Sequence, residues 1–223
     1  MQANETCVAC PVFHNCDNQA IYNYLPLIEF QNLAEQAGLA TNPDIECLRD
    51  YIVAAKDILE VGPGYGRIIA ALAKSAPHAN ITGIERNQRL YQHLKQCFPT
   101  QNFLLQDVLT TSFQPQYELI LLLWSFIAEF SPLEQARLVC VLAKAIKRGG
   151  HIAIETIMLG QHHPYANVQS NQYFEVSNPY GTDHFYVPTL QEIEHYARLA
   201  NLSFKKVLNY AARGVSRVIY ILG

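Results

Sequence analysis

The stretch DILEVGPGYGRI, residues 57–68, decides how this chain is read. A short apolar run opens into Gly62, Gly64 and Gly66, and apolar residues resume at Ile68. A strand that runs straight into glycines and then a helix lets a ligand come close to the backbone, because glycine lacks a Cβ and tolerates positive φ. Dinucleotide sites use G-x-G-x-x-G at this place, but here Arg67 stands where the third glycine would fall. Glu60, at the mouth of the turn, would repel a pyrophosphate, which disfavours a nicotinamide-dependent oxidoreductase. The same carboxylate suits a ligand that carries an ammonium and a sulfonium, as S-adenosylmethionine does.

Working outward, apolar runs suited to strands at 57–61, 80–85, 102–106, 117–124 and 151–156 alternate with segments of helical period. That alternation predicts a parallel sheet with helices on both faces. Two further runs, 203–209 and 216–222, lie too close together for a helical crossover and are expected to form an antiparallel hairpin. The expected fold is α/β: a three-layer Rossmann-like arrangement with a seven-stranded, mostly parallel sheet. Capping chemistry marks the helices. Ser131 and Glu134 form a capping box with Pro132 at the first helical position, and Thr189 with Glu192 repeats it. Lys147 and Arg148 would favour the C-terminus of the first of these helices, with Gly149 ending it. Asn42 before Pro43 is expected to cap a helix from 43 to about 55.

Length and composition bound the function. A chain of 223 residues holds one sizeable domain, and we read 1–223 as one. Only 16% of residues are charged and the formal net charge is −3, so no whole-protein basic field attracts nucleic acid. MQANETCVACPVFHNC has neither the basic start nor the apolar core of a secretory signal, and ELILLLWSFIAEF falls short of a membrane span. A cytoplasmic protein is expected, with no membrane partner and its six cysteines reduced. Cys7, Cys10, His14 and Cys16 cluster within ten residues, but structural zinc sites pair two knuckles across a longer loop, so no metal is expected.

DILEVGPGYGR resembles the first motif of the class I S-adenosylmethionine-dependent methyltransferases. GIERN, LLQDVL, YELILLLWSF and IKRGGHIAIET follow in the order and at the spacing of that family's later motifs. The resemblance spans roughly residues 40–160 by sequence and reaches the end of the chain by element order. It implies S-adenosylmethionine as cofactor and S-adenosylhomocysteine as product. It places Glu60, Gly62, Gly64 and Gly66 beside the methionyl part of the cofactor. Glu85, 19 residues after Gly66 and followed by Arg86, matches the acidic residue that holds both ribose hydroxyls. The chemistry agrees, since a carboxylate offers two acceptor oxygens to a vicinal diol. Asp107 and Val108 match the residues beside the adenine, and Trp124 and Ser125 those near the departing methyl.

Methyl transfer is a displacement at carbon, in which an enzyme chiefly aligns donor and acceptor and excludes water. If the acceptor must lose a proton, His162, His163 or His184 is a candidate base. All three lie in the long connection 157–188, which is rich in aromatic residues and poor in charge and is read as a packed lid. Residues 1–40 are read as a second, helical cover broken near Pro26, and Phe13, Tyr22, Tyr24 and Tyr165 are candidate acceptor contacts. The fourth strand ends in LLWSF, without the Asn-Pro-Pro-Tyr or Asp-Pro-Pro-Tyr tetrad that holds a flipped base. Acidic charge and an aromatic lid favour a small-molecule acceptor. Protein or tRNA acceptors, and a nucleotide-binding protein without turnover, are the alternatives.

Overall fold

The computed structural model describes residues 18–161 and 166–223. Ten strands and eight helices follow one another along these residues. Strands β1 (Asp57–Val61), β2 (Asn80–Glu85), β3 (Asn102–Leu105), β4 (Tyr117–Leu122) and β5 (Ile146–Ile157) pair in parallel in the order β3-β2-β1-β4-β5. β9 (Phe204–Ala212) and β10 (Val215–Leu222) complete a seven-stranded sheet, with β10 antiparallel to both β5 and β9. The expected fold and C-terminal hairpin are both present.

Helices cover both faces, as the continuous apolar character of the inner strands requires. On one face α7 (Pro132–Ala143) and α8 (Leu190–Leu199) bury Leu138, Val139, Leu142, Ile193 and Tyr196 against the sheet. On the other, α3 (Pro43–Cys47), α4 (Arg49–Ala54), α5 (Arg67–Ser75) and α6 (Gln88–Cys97) contribute Ile45, Ile52, Ile69, Leu72 and Leu94. The remaining helices, α1 (Gln19–Tyr24) and α2 (Leu27–Gln36), break at Leu25 and Pro26. A second, three-stranded antiparallel sheet is built from β6 (Ala166–Val168), β7 (Tyr173–Asn178) and β8 (Gly181–Tyr186). Phe174 and Val187 seat it on Ile157 of β5 and Ala128 of a 3-10 turn at Phe126–Glu129.

Both capping boxes form, Ser131 with Glu134 and Thr189 with Glu192. Two expected boundaries are corrected. The helix begun at Ser131 ends at Ala143, and residues 146–150 already belong to β5. Lys147 does not sit on the helix terminus: its Nζ reaches Asp57 Oδ2 at 2.6 Å and Glu118 Oε1 at 3.7 Å, which tethers the entry of β5 to β1 and β4. The helix expected from 43 to about 55 is two short helices that meet at Leu48, and Asn42 makes no side-chain cap. Asn42 is left-handed, with φ 56°, and its Oδ1 accepts from Arg67 Nη1 at 3.0 Å.

Candidate active site

A cavity of about 390 Å³ lies at the C-terminal ends of β1, β2 and β4, where α/β sheets bind ligands at the reversal of strand order. Its floor is the glycine turn. Gly62 and Gly64 adopt positive φ of 69° and 57°, and both line the cavity. A Cβ at Gly62 would overlap the Phe126 ring, and one at Gly64 would lie 3.0 Å from Phe30. Gly66, φ 92°, is packed on Phe98 and does not line the cavity.

Arg67, the departure from the dinucleotide fingerprint, is a structural anchor. Its guanidinium is buried, meets Asp44 at 2.7 and 3.0 Å and donates to the Leu39 carbonyl at 3.1 Å. It thereby ties the segment before α3 to the glycine turn. Glu60 is only 3% exposed and, contrary to expectation, does not line the cavity. Burial raises its carboxyl to about 8 against the opposing pull of Arg67, and its Oε2 has no partner. A neutral acid behind the turn, rather than a carboxylate facing the ligand, is what this position provides.

Glu85 and Asp107 do line the cavity. Gly64 N–H donates to Glu85 Oε2 at 3.2 Å and Asn87 N–H to Oε1 at 2.8 Å. These bonds fix the carboxylate while leaving each oxygen a second lone pair for a hydroxyl donor. Burial raises the Glu85 pKa, and the amide bonds oppose that shift. Asp107 Oδ1 accepts from Leu109 N–H at 2.8 Å, a local turn in which the side chain bonds the backbone two residues on. Val108 is buried beside it, and Arg86 lines the cavity while remaining exposed. After β4, Trp124 and Ser125 are both left-handed, φ 55° and 56°, and both line the cavity. The Ser125 N–H is held by Glu155 Oε2 at 2.9 Å, so this strained pair is fixed from below.

The cover comes from both ends of the chain. Arg89 of α6 donates to the carbonyls of Tyr22 and Leu25 at 2.7 and 2.6 Å, and Asn87 Nδ2 to Asn23 Oδ1 at 2.8 Å. Thus α1 is locked onto the first turn of α6, and Tyr22 is delivered into the cavity, where its hydroxyl donates to Glu129 Oε1 at 2.7 Å. Phe30 of α2 packs against Tyr65 and Trp124, with centroids 5.3 Å from each. From β7 and β8, Phe174, Val176, Asp183 and Phe185 close the opposite side. Burial raises Glu129 to about 7 and Asp183 to about 8.

Other expected contacts fall elsewhere. Tyr24 is 73% exposed and does not line the cavity. His184 points away from it, because on β8 the alternate residues 183 and 185 face inward. Its Nδ1 lies 2.7 Å from Tyr173 Oη and 3.3 Å from Glu175 Oε1, so it serves the outer face of the small sheet. Phe13, His162, His163 and Tyr165, with Cys7, Cys10, His14 and Cys16, lie outside the described residues. Sequence reasoning missed Glu129, Asp183, Asn87 and the buried pair of Arg217 Nη1 with Glu155 Oε1. Of these only Asn87, in an Asn-x-x run opening a helix after a strand, carried a local signal.

The glycine cradle, a carboxylate at each of the next two strand ends and an aromatic wall form a donor set that fits a cationic sulfur nucleoside. Residues 58–150 match the profile of a methyltransferase domain family. None of the curated proteins matches the sequence. Among solved structures the chain is similar to an S-adenosylmethionine-dependent methyltransferase from Clostridium acetobutylicum, at 12% identity and a TM-score of 0.66 over 88% of this chain and 98% of that one. It is similar to the 1,6-didemethyltoxoflavin-N1-methyltransferase of Burkholderia thailandensis, determined with 1,6-didemethyltoxoflavin and S-adenosylhomocysteine, at 12% and 0.66 over 87% and 82%. The amino pentose methyltransferase CalS10 of Micromonospora echinaspora, determined with S-adenosylmethionine, gives 14% and 0.62 over 88% and 97%. At such identities the likeness is one of fold. The profile match covers less than half of the chain.

Proposed function

We propose that the protein methylates a small molecule held between the sheet edge and the three-stranded cover. The observation that carries this reading is the continuity of the cavity. One space is lined by Glu85 and Asp107 from the strand ends and by Tyr22, Glu129, Asp183 and Phe174 from the cover. A roof contributed from two separate segments suits a compact acceptor better than a protein or tRNA. The neighbours named for didemethyltoxoflavin and an amino pentose support the same size class.

When bound, S-adenosylmethionine supplies an electrophilic methyl carbon on a sulfonium. In our reading Glu85 accepts from both ribose hydroxyls with the lone pairs its amide donors leave free, and Arg86 flanks it. Asp107 accepts from the adenine amine and Val108 packs against the base. Gly62 and Gly64 admit the methionyl chain against the backbone, while Trp124 and Ser125 border the reacting centre. The aromatic cover excludes water from the line of transfer. The chain works as one domain, with α1, α2 and the three-stranded sheet as its covers. Cys47, Cys97 and Cys140 are free thiols, which suits the cytoplasmic setting we propose.

Calorimetric titration with S-adenosylmethionine and with NADH tests the cofactor. A tight response to the first alone is expected, and the reverse would overturn the reading. Formation of S-adenosylhomocysteine across a panel of small acceptors then tests turnover.

A further inference from the structure

We infer that the acceptor is a basic amine, held as its ammonium by Glu129 and Asp183 and methylated on nitrogen. This rests on the methyltransferase reading and names its substrate class. Glu129 ends the 3-10 turn and Asp183 lies on the β8 strand packed against that turn, and both face the same cavity. Around them stand the ring pairs Phe126–Phe130, centroids 5.2 Å apart, and Phe174–Phe185, 5.0 Å apart. In this apolar box the acids have few donors. Tyr22 gives its hydroxyl to Glu129, while Asp183 Oδ1 is buried with no partner. Ser125, 7% exposed and lining the same space, has an unpartnered Oγ.

The nearby cations do not fill the gap. Arg217 is committed to Glu155, and Arg86, which draws on Glu129, is exposed. Glu85 adds a further acidic neighbour, so among the described residues the site is short of positive charge. An ammonium brings three donors and one charge, matching two carboxyls and a hydroxyl, and aromatic faces favour it further. A neutral hydroxyl brings one donor and no charge. A carboxylate or phosphate acceptor would be repelled.

The chemistry balances. A carboxylate of the pair takes one proton from the ammonium, freeing the nitrogen lone pair. That pair forms the new bond to the methyl carbon, the carbon–sulfur bond breaks, and its electrons remain on sulfur as a neutral thioether. The methylated ammonium departs, and the carboxyl proton passes to solvent. In the empty site burial raises Glu129 to about 7 and Asp183 to about 8; the arriving ammonium draws the pair toward its ionised form, and the raised basicity then lets either carboxylate take that proton at neutral pH.

The test is calorimetric titration of the S-adenosylhomocysteine-loaded protein with 2-phenylethylamine and with its isostere 2-phenylethanol. The amine is expected to bind at least about tenfold more tightly, as a charge-assisted contact requires. That preference should vanish in Glu129→Gln and Asp183→Asn, whose retained affinity for S-adenosylhomocysteine shows that they are folded. Equal binding of the two probes, or an undiminished preference in both variants, overturns the inference. Turnover separates it from the reading beneath: an amine that binds selectively yet is never methylated refutes the methyl transfer and leaves the amine site standing.

Discussion

Glu85 carries the most at the scale of one residue, because its two oxygens are oriented by backbone amides from two different segments, the glycine turn and the start of α6. Glu85→Ala is expected to weaken S-adenosylmethionine binding by about 1–3 kcal/mol, read by calorimetry, through lost charge-assisted hydrogen bonds. Gly62→Ala should destabilise the fold by about 1–2 kcal/mol from the left-handed backbone alone, with the Phe126 overlap added. Thermal unfolding measures it. These positions were legible in the sequence because each ends an apolar run or interrupts it with glycine. Glu129 and Asp183 were not, since what distinguishes them is being brought together from 54 positions apart in an apolar space. Arg67 was seen only as a missing glycine, for its partner Asp44 lies 23 residues earlier with no local pattern between them.

Elements with their own chemical punctuation were read correctly, and those set by distant neighbours were not. The two capping boxes are local, so α7 and α8 began where expected. The end of α7 was misplaced because residues 146–148 were taken as its last turn, whereas pairing of Ile146 with Tyr117 and the Lys147–Asp57 bridge draws them into β5. The connection after β5 was read as a packed lid, with no strands assigned to it. Its Asn-Pro-Tyr-Gly run does hold a hairpin signal, with Asn178 paired to Gly181 and its Oδ1 accepting from Tyr180 N–H at 2.8 Å. At this scale the Arg67–Asp44 bridge joins α3 to α5. Asp44→Asn leaves a buried guanidinium short of its counter-charge, and a loss of about 3–5 kcal/mol in denaturant unfolding is expected.

The whole molecule gathers an unusual set of acids that folding makes harder to ionise. Glu60, Glu129 and Asp183 titrate near 8, 7 and 8, above the ordinary carboxylate values of 4.5 and 3.8. Between those limits the folded chain holds protons that the unfolded chain has lost, so stability falls as pH rises through the window. The melting temperature without ligand should therefore drop between about pH 4.5 and 8 and level off above. Glu129→Gln should flatten that drop by roughly 2–4 °C per 1 kcal/mol removed, as read by calorimetric scans at each pH.

The position of β10 has a consequence for biosynthesis. Because Val215–Leu222 is inserted between β5 and β9, and Arg217 supplies the only guanidinium bonded to Glu155 among the described residues, the sheet cannot close until the ribosome has released this segment. A nascent chain stalled before it would present a bare apolar strand edge with an uncompensated carboxyl beneath, the kind of surface that chaperones engage.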